Sequence, residues 1–179
     1  GEGEYLDSKE KGDVVGELDG IVDMIFTGLF WCVLSGEVFR ESETWLHKIG
    51  TEDLCPYSLR AMTNNIQTGD PYGFQTHMVC LLNEVSSKFD ITGAFNRILK
   101  SNYYKAVNVK EGLDIEEELA RIQSEGRYTG LYSQKKGDYL ILRAKEDIQE
   151  GKTYPQGKII KSSLYRSPED LGGLEEFIY

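Results

Sequence analysis

The sequence predicts an α+β fold, in which an N-terminal helical body packs on a small antiparallel β-sheet and the chain closes with a C-terminal helix. Apolar residues recur at helical spacing over much of residues 13–126, and apolar and polar residues alternate over parts of residues 127–165. The chain has 179 residues, 40% apolar and 28% charged, which is typical of a domain that buries its own core. We therefore expect a flexible segment over residues 1–12 and a single domain over residues 13–179.

The first predicted helix begins at Val14, because Asp13 is a suitable N-cap. It ends near Ser35-Gly36, since glycine suits the C-terminal end of a helix. Five further helices are predicted: one that ends at Ile49 with Trp45 and Leu46 inside, one through Leu59, Met62 and Ile66, one over Phe74–Phe89, one through Phe95 and Ile98, and one from Asp114 to Gly126.

The most apolar stretch of the chain, residues 21–39, overlaps the first of these helices. A membrane span needs about 20 consecutive apolar residues. The apolar run here covers only residues 21–34 and contains Asp23, so we expect a central core helix. If fully buried, Phe30→Ala or Trp31→Ala would then cost roughly 3–5 kcal/mol.

The second part of the chain shows strand-like alternation. Residues 127–133 and 138–143 predict a β-hairpin around residues 134–137, and residues 158–165 predict a third strand after a turn-rich loop. Residues 103–109 are compatible with a further short strand. Ser167-Pro168, followed by two acidic residues, predicts the start of the C-terminal helix.

Charge is divided unevenly along the chain. Residues 1–125 hold 11 basic and 22 acidic side chains, whereas residues 126–166 hold nine basic and four acidic ones. The basic segment also carries five of the 11 tyrosines. This combination predicts a Tyr/Lys-rich β surface that binds a protein partner through Tyr128, Tyr132, Lys135, Lys136, Tyr139, Arg143, Lys158 and Lys161.

Other interpretations of this surface stay open. Basic and aromatic side chains on a sheet also bind RNA, DNA or nucleotides, through phosphate contacts and base stacking. A second copy of the chain, with its acidic body, is another candidate partner. Tyrosine is also an ordinary strand residue, and lysine commonly protects exposed edge strands. The net charge of −10 disfavours binding to anionic membranes.

Few side chains are suited to catalysis. His77, Cys80 and Glu84 share a face of their predicted helix, and Cys32 follows a tryptophan. Either Cys80 or Cys32 with His77 would give a Cys-His hydrolase, which requires a thiolate that labels rapidly at neutral pH. Cys32 lies late in its helix, where the dipole disfavours a thiolate.

A zinc site would use His47, Cys55, His77 and Cys80, but their spacing fits only in part. The sequence contains no glycine-rich phosphate-binding loop, so we expect no cofactor. An odd count of three cysteines favours a reducing compartment and hence a cytoplasmic protein. The sequence therefore favours a non-catalytic domain that binds another macromolecule.

Overall fold

The computed structural model describes residues 2–36, 55–149 and 151–179, the last range without the side chains of 154–158. The chain has an α+β fold, as the sequence predicts, and it divides into two compact units. The first unit comprises Gly1–Ile98 and Gly172–Tyr179, and the second comprises Leu99–Leu171. The single domain expected over 13–179 stays a prediction, and the helix expected to end at Ile49 lies outside the described residues.

The first unit is helical. Its elements are α1 (Glu2–Lys11), α2 (Val14–Leu34), α3 (Cys55–Thr68), α4 (Pro71–Val85) and the part of α5 (Ile91–Tyr103) that ends at Ile98. Two of the helices begin at aspartate N-caps: Asp13 accepts a hydrogen bond from Gly16 N at 3.0 Å and Asp70 accepts one from Gly73 N at 2.9 Å. None of the helices in the described ranges is long and apolar enough to cross a membrane.

Helix α1 occupies the segment that the sequence led us to expect as flexible. Its Tyr5 is only 2% exposed and belongs to the core of the first unit. Helix α1 packs closely on α2 because position 20 is glycine: a Cβ there would lie 2.9 Å from the backbone nitrogen of Tyr5. The packing of α1 depends on Gly20 in α2, so it cannot be predicted from the polar composition of residues 2–11 alone.

The core of the first unit forms around α2, α3 and α4. Fully buried side chains include Leu18, Ile21, Leu59, Met62, Phe74 and Leu81. Position 28 of α2 is glycine, and a Cβ there would lie 1.8 Å from Phe74 Cζ. The ring of Phe74 therefore packs directly against the backbone of α2, which explains why this helix needs a glycine in its interior despite the cost to helix propensity.

The end of α2 differs from the predicted core helix. Phe30 is 60% exposed, and the prediction that it is buried is wrong. At 100° per residue, position 30 lies 180° around the helix from Ile21, which faces the core. Trp31 is half-buried and packs edge-on against Phe74, with ring centroids 6.2 Å apart. Val33 and Leu34 are also exposed, so the apolar face at this end of α2 is not part of the core.

The second unit contains an antiparallel five-stranded sheet and one helix. The elements are β1 (Ala106–Asn108), α6 (Ile115–Ser124), β2 (Tyr128–Thr129), β3 (Tyr132–Lys136), β4 (Tyr139–Gln149) and β5 (Lys152–Ile160). Strand β4 is central, with β2 and β3 along one side and β1 and β5 along the other. Ile122 of α6 packs with Leu142, Ala144 and Ile160 in a second core.

The predicted hairpin is confirmed, but its strands and turn are displaced. The turn is Gly137-Asp138, and β4 and β5 continue through most of the stretch that the sequence predicts as a turn-rich loop. The register shifts between Ala144 and Glu146, which interrupts the alternation along β4. Strand β5 accommodates Pro155 because, among the described strands, it pairs only with β4.

The predicted C-terminal helix is wrong. Its N-terminal cap forms, since Ser167 N donates to Asp170 Oδ2 at 2.8 Å and Asp170 N donates to Ser167 Oγ at 3.2 Å. Only a 3₁₀ turn over Glu169–Leu171 follows, and a second one covers Glu175–Phe177. Gly172 and Gly173 lie between them with φ of 114° and 76°, and these positive values end the helical path.

Candidate functional site

One face of the sheet collects four of the eight side chains predicted for the binding surface. Tyr132 pairs with Arg143 and Lys136 pairs with Tyr139, and residues directly opposite each other in an antiparallel sheet share a face. Three further residues join this face: Gln134 pairs with Ile141, and Ile159 pairs with Arg143. We call this set the tyrosine face: Tyr132, Gln134, Lys136, Tyr139, Ile141, Arg143 and Ile159.

The tyrosine face presents aromatic and aliphatic groups to solvent. Tyr132 is 38%, Tyr139 49% and Ile159 40% exposed. Arg143 is half-buried and lies between Tyr132 and Ile159, its register partners on the two sides of β4. Its Nε donates to Gln134 Oε1 at 3.1 Å. This hydrogen bond fixes a planar guanidinium on the sheet, beside rings that the core of the second unit does not use.

The opposite face packs on the second core. Leu142 and Ile160 are buried there, and Lys135, which pairs with Leu140, belongs to this side of the sheet while remaining exposed. Tyr128 is half-buried against the same core. These residues are therefore not on the tyrosine face.

Two other predicted binding residues lie at or beyond the end of β5. The backbone of Lys158 pairs with Ala144, and its side chain is outside the described ones. Lys161 follows β5, and its Nζ lies 4.3 Å from the ring centroid of Tyr165. A cation over an aromatic face in this geometry is favourable. Lys161 is thus engaged within the second unit rather than on the tyrosine face.

Within the first unit, His77 is held by a polar chain across two helices. Its Nδ1 lies 2.9 Å from Asn65 Oδ1 and 2.8 Å from Gly73 O. Both are acceptors, so Nδ1 carries a proton, and in the neutral tautomer with this geometry the lone pair is on Nε2. Asn65 Nδ2 in turn donates to Asp70 Oδ2 at 3.1 Å. The ring of Tyr57 meets His77 edge-on at 6.3 Å between centroids.

This chain of hydrogen bonds connects the end of α3 to the start of α4. Asn65 is buried. Asp70 accepts a hydrogen bond from its side chain and is also the N-cap of α4. A Cβ at Gly73, in the first turn of α4, would lie 2.2 Å from Asp70 Oδ2, so a side chain there would displace the Asp70 carboxylate. An imidazole oriented in this way has the form of a general base. In the described part of the chain, His77 forms hydrogen bonds with Asn65 and Gly73, and none with a cysteine.

The three cysteines differ in their environments, and none forms a disulfide. Cys32 and Cys55 are buried in the first core. Burial is the main cause that raises the pKa of the Cys55 thiol to about 11, although a hydrogen bond with Tyr5 opposes the rise. The Cys55 thiol is therefore not suited to forming a thiolate at neutral pH. Cys80 is exposed, so the hydrolase interpretation stays a prediction for Cys80 with His77.

The sequence spacing groups Glu84 with His77 and Cys80, but the charge of Glu84 acts on Tyr5 and Cys55. Its charge raises the pKa values of Tyr5 and Cys55, which places its effect at the buried contact between α1 and α3.

Among the described residues, no group of three or more His, Cys, Asp or Glu side chains has the arrangement of a metal site. His47 lies outside the described residues, so the complete set of predicted zinc ligands stays a prediction.

The structure also identifies residues that sequence reasoning missed. Gln134, Ile141 and Ile159 belong to the tyrosine face, and the period-two alternation contains the signal for the first two. The chain of hydrogen bonds from His77 through Asn65 to Asp70 has no comparable signal, because it joins two helices.

The chain matches no protein-family model, no curated protein and no solved structure.

Proposed function

We propose that this chain is a non-catalytic interaction domain that binds a protein partner through the tyrosine face. The observation that supports the proposal is the exposure of Tyr132 and Tyr139 on one side of a sheet whose other side supplies the core. Tyrosine and arginine are the residue types that most often dominate binding energy in protein interfaces. Arg143 adds the second of these types, directly opposite Tyr132 in the register.

The charges of the tyrosine face indicate the kind of partner. Lys136 and Arg143 are its charged members, and both are basic. They lie in the segment with nine basic and four acidic side chains. A complementary partner surface carries acidic groups around an apolar centre that receives the tyrosine rings.

Substitutions on the two faces of β3 test the proposal. The chain is immobilised, partners are captured from its cell of origin, and bound proteins are identified by mass spectrometry. We expect Tyr139→Ala to weaken binding of the captured partner about 30-fold, the effect of losing a hot spot of about 2 kcal/mol. Lys136→Glu should weaken it as well, by reversing a charge on the tyrosine face.

Lys135→Glu is the matched control, because Lys135 is the neighbour of Lys136 on the opposite face. It makes the same change in net charge and leaves the tyrosine face intact. Equal losses with Lys135→Glu and Lys136→Glu would contradict the proposal and indicate a diffuse charge effect. Capture of the same chain as the main partner would assign the face to a second copy.

Nucleic-acid binding is the second candidate, favoured by the presence of two tyrosines and two cations on the same face. It predicts that a labelled single-stranded oligonucleotide binds at low salt and is released as salt rises, with a steep log–log slope. Fluorescence anisotropy from 20 to about 300 mM salt measures this. An unchanged anisotropy with RNA and DNA oligonucleotides at the lowest salt would eliminate this candidate.

A further inference from the structure

The last eight residues of the chain bind to the helical unit in the manner of a peptide. Asp90 N donates to Phe177 O at 2.8 Å, and Tyr179 N donates to Lys88 O at 3.0 Å. Between these bonds, Phe89 and Ile178 form an antiparallel bridge. Main-chain hydrogen bonds of this kind also hold bound peptides on the backbone of a receptor, here over one bridge at Ile178.

The receptor surface contains a place for each apolar side chain of the segment. Leu174 is 3% exposed, and Phe177 and Ile178 pack against the core of the first unit. Position 93 is glycine, and a Cβ there would lie 2.5 Å from Phe177 Cδ1. The ring of Phe177 therefore occupies a space that exists because residue 93 has no side chain.

A single arginine makes three different contacts with the segment. Arg97 Nη1 donates to Gly173 O at 2.7 Å, and Nη2 forms an ion pair with Glu176. The guanidinium also lies 4.9 Å from the ring centroid of Phe177. Arg97 thus contacts a main-chain carbonyl, an acidic group and an aromatic ring. These contacts depend on the particular sequence of the segment and not only on its apolar side chains.

The segment is joined to the rest of the chain through Gly172 and Gly173. Both have positive φ, a conformation that glycine adopts without strain. The preceding residues 99–171 belong to the other unit. A short segment attached through a glycine pair, with its contacts concentrated on residues 88–97, has the properties of a tethered ligand.

We propose that residues 88–97 form a peptide-binding site for the sequence Leu-Glu-Glu-Phe-Ile-Tyr, occupied by the chain's own residues 174–179 and open to the same segment of a second copy. Recognition requires the glycine at position 93, the arginine at position 97 and the backbone of residues 88–90. The tethered segment competes with any copy offered in solution, because its effective concentration is on the order of millimolar.

A labelled synthetic peptide of residues 172–179 tests the site on the full chain. Phe177→Ala in the chain weakens the tethered segment and leaves the receptor residues unchanged. We expect the peptide to bind the Phe177→Ala chain at least ten-fold more tightly than the original chain, by fluorescence anisotropy. Adding Arg97→Ala should reduce that binding at least ten-fold, whereas Lys100→Ala, an exposed lysine of the same helix, should not.

Two peptide variants make the comparison specific. A peptide with Glu176→Gln loses the ion pair with Arg97 and should bind less tightly, whereas Glu175→Gln should bind as the original peptide does. If the Phe177→Ala chain does not fold, Glu176→Gln in the chain weakens the tether more mildly and allows the same titration. A folded variant chain that does not bind the peptide, or that binds it equally well without Arg97, overturns the proposal.

Discussion

Replacing Phe74 with alanine is expected to lower the free energy of unfolding by about 3–5 kcal/mol. Phe74 is fully buried, packs on the backbone at Gly28 and meets Trp31 edge-on. Alanine would remove the ring and leave a cavity that the flanking helices cannot fill without moving their backbones. Urea denaturation followed by circular dichroism measures the loss.

Phe30→Ala is the control for this prediction, since it removes the same ring from a position that is 60% exposed. Its expected effect is within about 0.5 kcal/mol, as for other exposed positions. A loss as large as that of Phe74→Ala would show that the end of α2 is covered in solution, and it would contradict the exposure described above.

Glu118→Gln is expected to destabilise the second unit by about 1.5–3 kcal/mol, the range for hydrogen bonds to a charged group. Glu118 is buried on α6 and accepts from Arg121 Nη2 at 2.7 Å. It also accepts from Ser163 N at 2.6 Å and Ser163 Oγ at 3.1 Å, which ties α6 to the chain after β5. Glutamine would keep the shape and lose both the charge and one acceptor. Glu117→Gln, on the exposed side of the same turn, should change the free energy by a few tenths of a kcal/mol.

The same carboxylate makes stability depend on pH. Hydrogen bonds from Arg121 and then from Ser163 lower the pKa of Glu118 below its ordinary value, against the opposing effect of burial. A lowered pKa in the folded state contributes stability above the unfolded-state pKa of about 4.3, and the contribution is lost as pH falls through the folded pKa. The difference in unfolding free energy between the original chain and Glu118→Gln should therefore shrink below about pH 4.3. A difference that stays constant from pH 7 to pH 3 would contradict this role.

Helices with a regular apolar stripe are predictable from the sequence of this chain. The buried or half-buried positions of α4 include Phe74, Leu81 and Val85, which are members of the predicted stripe. The cap at Asp13 is likewise predictable because a local hydrogen bond forms it. In both cases the information lies within a few residues along the chain.

Features that depend on contacts distant in sequence are not predictable in this way. Helix α1 packs on α2 because Gly20 leaves room for its backbone. The C-terminal segment turns at Gly172 and Gly173, which have positive φ, and then reaches Phe89 through Ile178. The same applies to the candidate site. Alternation predicts that Tyr132 and other strand residues share a face, but the register with β4 is needed to separate Lys136 from Lys135.

The bridge between Phe89 and Ile178 also has a consequence for the order of folding. It closes a loop that contains the whole of residues 90–177, so a large chain entropy must be lost before it forms. During synthesis, the helical unit is completed only after residues 172–179 have left the ribosome. We therefore expect this closure to be a late step, and hydrogen exchange at the amides of Asp90 and Tyr179 to report opening without global unfolding.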